Sequence, residues 1–227
     1  MMFVVITGAS RGIGRATALR LGRRGVRLAL LGRASAKLAE TTEELSRSGV
    51  AFLKIECDLA QPAEILAAAT QILDFGGAPD AVIHNAGVLR RGLVEQLPLA
   101  AWEEQFAVNL RAPFLLTQAL LPSMLARKSG RFVFVSSISA TLGTANASAY
   151  NASKWGLTGF VKSLAEELRD TGLTATAILP GSVATEMLKG TGFEPRMSAE
   201  EVATTLEHYA LDAPLAHNGA VIEMFGI

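Results

Sequence analysis

Seven short apolar runs recur along the chain, near 2–6, 27–31, 51–55, 80–83, 131–135, 174–179 and 219–223. None shows the sustained apolar–polar alternation of a strand with one face in water, so each is expected to be a strand buried on both faces. Longer segments with helical spacing separate them, near 13–24, 35–48, 62–74, 99–127, 149–170 and 199–211. Alternation of this kind builds a parallel sheet with helices packed on both sides. The expectation is therefore an α/β fold with a doubly wound, mostly parallel, seven-stranded sheet. Half of the 227 residues are hydrophobic and 19% are charged, which is enough apolar material for a large core. No linker, repeat or shift of composition divides the chain, so one domain over 1–227 is expected.

Charge and cysteine content narrow the function classes. There are 21 basic and 21 acidic residues and no run of either sign, which argues against nucleic acid or a membrane surface as a partner. Cys57 is the only cysteine, so no disulfide forms within the chain and a reducing cytoplasm is the expected compartment. His84, His208 and His217 make no ligand-spaced cluster with Cys57, and no metal site is expected. The opening MMFVVITGAS has neither a basic leader nor a small-residue cleavage site and reads as a first strand. No apolar segment reaches membrane length.

The stretch TGASRGIG, residues 7–14, joins the first strand to the first helix. Gly8, Gly12 and Gly14 permit a tight turn, close approach of backbone to a pyrophosphate, and close helix–sheet packing. The helix that follows offers unpaired N–H groups and a positive dipole end to phosphate. The spacing is G-x-x-x-G-x-G, which differs from the G-x-G-x-x-G fingerprint. Dinucleotide-binding sheets that take NAD end their second strand with an acid for the ribose hydroxyls. Here LALLGRASAK, residues 28–37, carries no acid before Glu40; Gly32 and Arg33 stand there, and Arg11 lies in the glycine loop. Two guanidiniums suit a 2′-phosphate, so NADP(H) is favoured over NAD(H).

With that loop in place, the remaining motifs resemble the short-chain dehydrogenase/reductase family in its compact single-domain branch, a Rossmann fold. They follow in family order: Asp58 in CDL, NAG at 85–87, Asn109 in VNL, VSS at 135–137, Tyr150 with Lys154, and PG at 180–181. The resemblance implies a catalytic tetrad of Asn109, Ser137, Tyr150 and Lys154, with Ser137 chosen because it lies thirteen residues before Tyr150. It also implies a cofactor held by Gly8, Ser10, Arg11, Gly12, Ile13 and Gly14, by Arg33, by Asp58 and Leu59 near the adenine, and by Asn85, Ala86 and Gly87. Tyr150, Lys154, Pro180, Gly181, Val183 and Thr185 complete that set. His84 stands where relatives often carry asparagine, and a hydrogen-bonded structural role is expected for it.

Elementary chemistry supports the tetrad independently. Tyr150, Lys154, Leu157, Val161, Leu164 and Leu168 form one helical stripe, apolar from Leu157 onward. An ammonium on that stripe is buried and needs compensation, which a ribose diol and a water held by Asn109 would supply. Lowering a phenol pKa from ~10 to neutrality requires roughly 4 kcal/mol, about what a cation ~4 Å away supplies at an effective dielectric near 20. Lys154, helped by a positive nicotinamide, is thus expected to make Tyr150 a proton-transfer group, with Ser137 holding the carbonyl oxygen.

The expected activity is reversible reduction of a ketone or aldehyde. The Gly/Pro/Thr-rich stretch 181–198 is expected to be a substrate loop. Val88, Leu89, Leu142, Val183, Met187 and Leu188 suggest an apolar pocket, and a 3-oxoacyl thioester is one candidate substrate. Arg127 and Lys128 suggest either a site for an acidic carrier protein or, preferably, a basic helix end. Rival readings are a non-enzymatic NADP-binding sensor, an NAD-dependent alcohol dehydrogenase, and an isomerase or dehydratase. The resemblance also implies a homodimer or homotetramer built on the two long helices, and Ala152, Gly156, Gly159 and Ser163 make a small-residue stripe on the second.

Overall fold

The computed structural model describes residues 1–226. Strands β1 (Phe3–Thr7), β2 (Arg27–Gly32), β3 (Phe52–Glu56), β4 (Ala81–His84), β5 (Gly130–Val135), β6 (Leu173–Pro180) and β7 (Val221–Met224) form one sheet in the order β3-β2-β1-β4-β5-β6-β7. Every neighbouring pair is parallel, so the expected mostly parallel sheet is wholly parallel. Each strand lies within two residues of the apolar run that suggested it, because a strand covered on both faces must be apolar throughout. The edge strands are the exceptions: β7 carries exposed Glu223, and β3 has Lys54 and Glu56 paired at 3.0 Å on its exposed side. Such charges discourage further strand pairing at an edge.

Helices α1 (Gly12–Arg23), α2 (Ala36–Arg47), α3 (Pro62–Gly76), α4 (Leu99–Phe106), α5 (Ala112–Arg127), α6 (Ser148–Glu167) and α7 (Ala199–Leu211) cover the sheet. Successive strand residues point to opposite faces, which produces two cores. On one face Val5, Val82, Phe132 and Ala175 pack with Leu116, Leu120, Leu157 and Val161 from α5 and α6. On the other, Val4, Ile6, Ile83 and Ile178 pack with Leu21, Val202 and Leu206 from α1 and α7. Each of the valines, leucines, isoleucines and phenylalanines among them, fully removed from water, contributes about 1.5–3 kcal/mol.

The single helix expected over 99–127 is interrupted. A π turn, Ala107–Arg111, separates α4 from α5. Pro113 follows it in the first turn of α5 and has no N–H to return to the carbonyl of Asn109, so the regular ladder fails there. Arg127 donates to the carbonyls of Ala78 and Pro79, both at 2.6 Å, and stands 3.1 Å from Asp80. Its guanidinium therefore fastens the start of β4 to the end of α5, and Lys128 caps that helix in the left-handed region (φ 56). The basic pair belongs to the helix end.

His84 closes β4. Its ring stacks on Phe134 with centroids 4.6 Å apart, and Nε2 hydrogen-bonds Thr117 Oγ1 at 2.9 Å. Burial pulls its pKa down to about 3, so the imidazole is neutral and structural, the role the sequence suggested.

A buried carboxylate joins α1 to α7. Glu207 is 6% exposed; it meets Arg24 at 2.6 Å and also pairs with Arg20. Glu207→Ala leaves two half-exposed guanidiniums facing each other, and a loss of about 1–2 kcal/mol is expected. Thermal denaturation should show a midpoint about 3–6 °C lower. An unchanged midpoint would mean that the apolar contacts alone hold these helices.

Strand order positions the site. The chain builds β1, β2 and β3 outward, then returns to lay β4 against the free edge of β1. The connections diverge at the carboxyl ends of β1 and β4, and a crevice opens there.

Candidate active site

The crevice between β1 and β4 is closely stitched. Asn85 Nδ2 donates to the carbonyls of Thr7 and Gly8 at 3.0 and 3.2 Å, and the N–H groups of Asn85 and Ala86 both donate to Thr7 Oγ1 at 3.1 Å. Gly8 (φ 72) and Gly12 (φ 52) turn the chain through the left-handed region that glycine tolerates. A Cβ on Gly14 would stand 2.2 Å from the Gly8 carbonyl oxygen, so this position admits no side chain. Arg11 precedes α1 in extended backbone, no side chain caps the helix, and its first turn holds no acid. The unpaired N–H groups there face the crevice as an anion-binding end.

A cleft of about 1270 Å³ runs along the carboxyl ends of the strands. Its wall includes Gly8, Ser10, Arg11, Gly12, Ile13, Arg33, Asp58, Leu59, Asn85, Ala86, Gly87, Ser137, Tyr150, Lys154, Pro180, Gly181, Val183 and Thr185. Two residues expected at the site are absent from that wall. Gly14 lies beneath the glycine turn, and Asn109 is fully buried behind the loop that follows β4.

The π turn carries Asn109 to that loop. Its Oδ1 accepts from Val88 N–H at 2.8 Å, and its Nδ2 donates to the Val88 carbonyl and Ser153 Oγ, both at 3.0 Å. Both amide protons are engaged, so the side chain fixes the loop. A Cβ on Gly87 would lie 3.4 Å from Asn109 Oδ1 and 3.5 Å from Lys154 Nζ, which places the three side by side. One turn earlier, buried Gln105 grips the same loop by accepting from Arg90 N–H at 2.9 Å and donating to the Arg90 carbonyl at 3.2 Å.

The stripe on α6 is as the spacing predicts. Lys154, Leu157, Val161, Leu164 and Leu168 are all at most 3% exposed, and Tyr150 is partly buried at the cleft wall. Lys154 Nζ donates to the Val135 carbonyl at 2.9 Å and lies 5.8 Å from the Tyr150 ring centroid. Among the described residues no carboxylate pairs with it, and burial pulls its pKa down to about 8. An ammonium has three donors, and one meets protein here. Burial pushes the Tyr150 pKa up, opposed by the Ser137 hydroxyl, whereas the lowering expected from sequence also counts the charge of a bound nicotinamide. Desolvation of the phenolate is the larger influence, and burial likewise disfavours the charge on Lys154.

Ser137 lies two residues beyond β5 and caps a short turn, with its Oγ accepting from Ser139 N–H at 3.1 Å. The hydroxyl of its neighbour Ser136 is taken up by α6, bonded to the Lys154 carbonyl at 3.2 Å and Thr158 Oγ1 at 3.1 Å. That difference separates the two serines by geometry.

At the other end of the cleft lie Arg11, Arg33 and a residue the sequence did not single out, Lys37, in the first turn of α2. Arg11 and Lys37 both pair with Glu186 of the 181–198 stretch. Neither Lys37 nor Glu186 carries a local signal; on a helix and in a loop, respectively, they read as solvated charges. Leu142, Met187 and Phe193 form an apolar lip, being 50%, 39% and 55% exposed.

The molecule resembles solved structures over nearly its whole length. Levodione reductase superposes with a TM-score of 0.92 at 27% identity, covering 99% of this chain and 96% of that one. A variant of actinorhodin polyketide ketoreductase with NADPH gives 0.93 at 28% identity, with the same coverage. In sequence, the chain is 32% identical to the 3-oxoacyl-[acyl-carrier-protein] reductase of Synechocystis sp. over 223 residues, 94% of this chain and 90% of the relative. It is 33% identical over 184 residues to the corresponding reductase of Staphylococcus aureus, 81% of this chain and 75% of that one. The family model described as short chain dehydrogenase matches residues 2–194, a span that includes the glycine turn, the Tyr150–Lys154 pair and the loop bearing Glu186. The family model spans most of the chain and these relatives match it over most of their length, so the chain belongs to the short-chain dehydrogenase/reductase family.

Proposed function

We propose that the protein is an NADP(H)-dependent reductase of ketones, with 3-oxoacyl thioesters as the first substrate class to test. The observation that carries this reading is Lys154, a buried ammonium with no carboxylate partner among the described residues, beside Tyr150 on the cleft wall. A lysine in that position is costly unless something outside the chain takes its remaining protons.

The residues fit a dinucleotide. The glycine turn leaves a cradle that a Cβ on Gly14 would destroy, and the open end of α1 suits a pyrophosphate. Arg11, Arg33 and Lys37 at one end of the cleft suit a 2′-phosphate, and Lys154 at the other suits the ribose diol. When bound, NADPH supplies the hydride.

The chain's own residues supply position and a proton. Ser137 Oγ holds the carbonyl oxygen by a hydrogen bond. The Tyr150 phenol, kept protonated in the neutral range by burial, is the acid that protonates that oxygen as the alkoxide forms. Lys154 tethers the cofactor and offers positive charge as the phenol gives up its proton. Asn109 and Gln105 hold the backbone of residues 88–90 that borders the pocket. The apolar lip at Leu142, Met187 and Phe193 favours an acyl or other apolar substituent. Relatives named for 3-oxoacyl and polyketide ketone reduction favour the same class.

A panel of ketones, aldehydes and 3-oxoacyl thioesters followed by NADPH absorbance tests the activity; no oxidation of NADPH across it would favour a non-enzymatic binding role. Cofactor choice has its own test. Arg11→Ala, Arg33→Ala and Lys37→Ala are each expected to weaken NADPH by about tenfold while NADH changes little. Equal losses for both nucleotides would contradict the 2′-phosphate reading.

A further inference from the structure

The 181–198 stretch crosses the cofactor end of the cleft, and one side chain at its tip makes the crossing. Glu186 begins the turn Glu186–Leu188. Its Oε2 accepts from Arg11 of the glycine turn, and its Oε1 accepts from Lys37 of α2, so one carboxylate ties together segments 175 and 149 residues away. The neighbouring Thr185 lies against the same turn, where a Cβ on Gly12 would stand 3.1 Å from Thr185 Cγ2. The base of the stretch is held separately. Val183 bridges to Met197, and the N–H groups of Arg196 and Met197 donate to the Ser182 carbonyl at 2.9 and 3.2 Å. Freeing Glu186 therefore does not unfasten the base.

The three partners are open to water, with Arg11, Lys37 and Glu186 side chains 53%, 47% and 40% exposed. Exposed ion pairs hold weakly, and a phosphate of higher charge with three oxygens competes well for the same donors. Arg11 and Lys37 are also two of the three cations assigned above to the 2′-phosphate.

We propose that Glu186 and the 2′-phosphate compete for Arg11 and Lys37, so that Glu186 sets the margin by which the phosphorylated dinucleotide is preferred. This rests on the NADP(H) reading. A nucleotide without the 2′-phosphate leaves the Glu186 pairs intact; one that carries it takes over the cations and releases Glu186 from the glycine turn and α2. Glu186 is thereby a specificity-determining residue that acts against the preferred cofactor while linking its adenosine end to the loop over the pocket.

Calorimetric titration of the wild type and Glu186→Gln with adenosine 2′,5′-bisphosphate and with 5′-AMP tests this without turnover. Glu186→Gln is expected to tighten the bisphosphate by about five- to tenfold and to change 5′-AMP by less than about twofold. Glu194→Gln, on the same stretch but outside the cation pair, controls for net charge and is expected to leave both affinities unchanged. In an Arg11→Ala background the gain from Glu186→Gln should shrink, since one competed donor is gone. An unaltered ratio of the two affinities in Glu186→Gln, or looser binding of the bisphosphate, would overturn the competition while leaving the NADP(H) reading standing. If neither protein distinguishes the bisphosphate from 5′-AMP, the NADP(H) reading fails, and the competition fails with it.

Discussion

Tyr150→Phe is expected to lower turnover by about a thousandfold while NADPH binds within about twofold of the wild type. The substitution removes one hydroxyl and keeps the ring that packs at the cleft wall, so folding and the shape of the pocket are retained. What disappears is, among the described residues, the only phenol on the wall beside Lys154. Because burial raises the Tyr150 pKa, the wild type keeps its acid form throughout the neutral range, and reductive turnover should fall only on the alkaline side. Single-turnover kinetics at saturating NADPH separates the effects. Lost binding with unchanged turnover per complex would remove Tyr150 from the role assigned to it.

Lys154→Met should abolish turnover and yet stabilise the protein. Burial holds the Lys154 pKa at about 8, down from 10.5, so the unfolded chain binds more protons than the folded one between those values. Wild-type stability attributable to this group therefore rises as pH climbs from about 8 to about 10.5, and below that window its full cost is present. That cost is roughly 3 kcal/mol at 1.36 kcal/mol per pH unit. Methionine fills a similar volume without charge but forfeits the bond to Val135, leaving a net gain of about 1–2 kcal/mol near neutrality. The melting midpoint should rise by about 3–6 °C at pH 7 and converge with the wild type at high pH. A lower midpoint, or one whose difference from the wild type ignores pH, would mean that Lys154 is compensated within the fold. The same ammonium should make nucleotide binding weaken as pH rises past about 8.

The sheet was legible because its strands are covered on both sides, and apolar runs such as FVVI and FVFV need no alternation to be recognised. Tyr150 and Lys154 were legible because helical periodicity alone put a cation on the buried stripe. The π turn was hidden, since the helical pattern runs through 99–127; what breaks it is a missing N–H at Pro113. Asn109 illustrates a second limit. Its importance could be read, whereas its hydrogen bonds to Val88 depend on a loop 21 residues earlier. The pairing of Glu186 with Arg11 and Lys37 was beyond reach, because it is the parallel direction of the folded strands that puts the carboxyl ends of β1, β2 and β6 on one edge of the sheet. Charge could be counted at Arg11 and Arg33, but not which carboxylate would meet it.

Hydride transfer to a ketone is the central claim, and isotopic labelling reads it most directly. NADPH deuterated at the transferred position of the nicotinamide should convert a 3-oxoacyl thioester into a hydroxyacyl product carrying deuterium at the carbinol carbon, as seen by mass spectrometry. Tyr150→Phe should yield almost none of it. Product formed without deuterium, or no product from any ketone while NADPH binds tightly, would contradict the account.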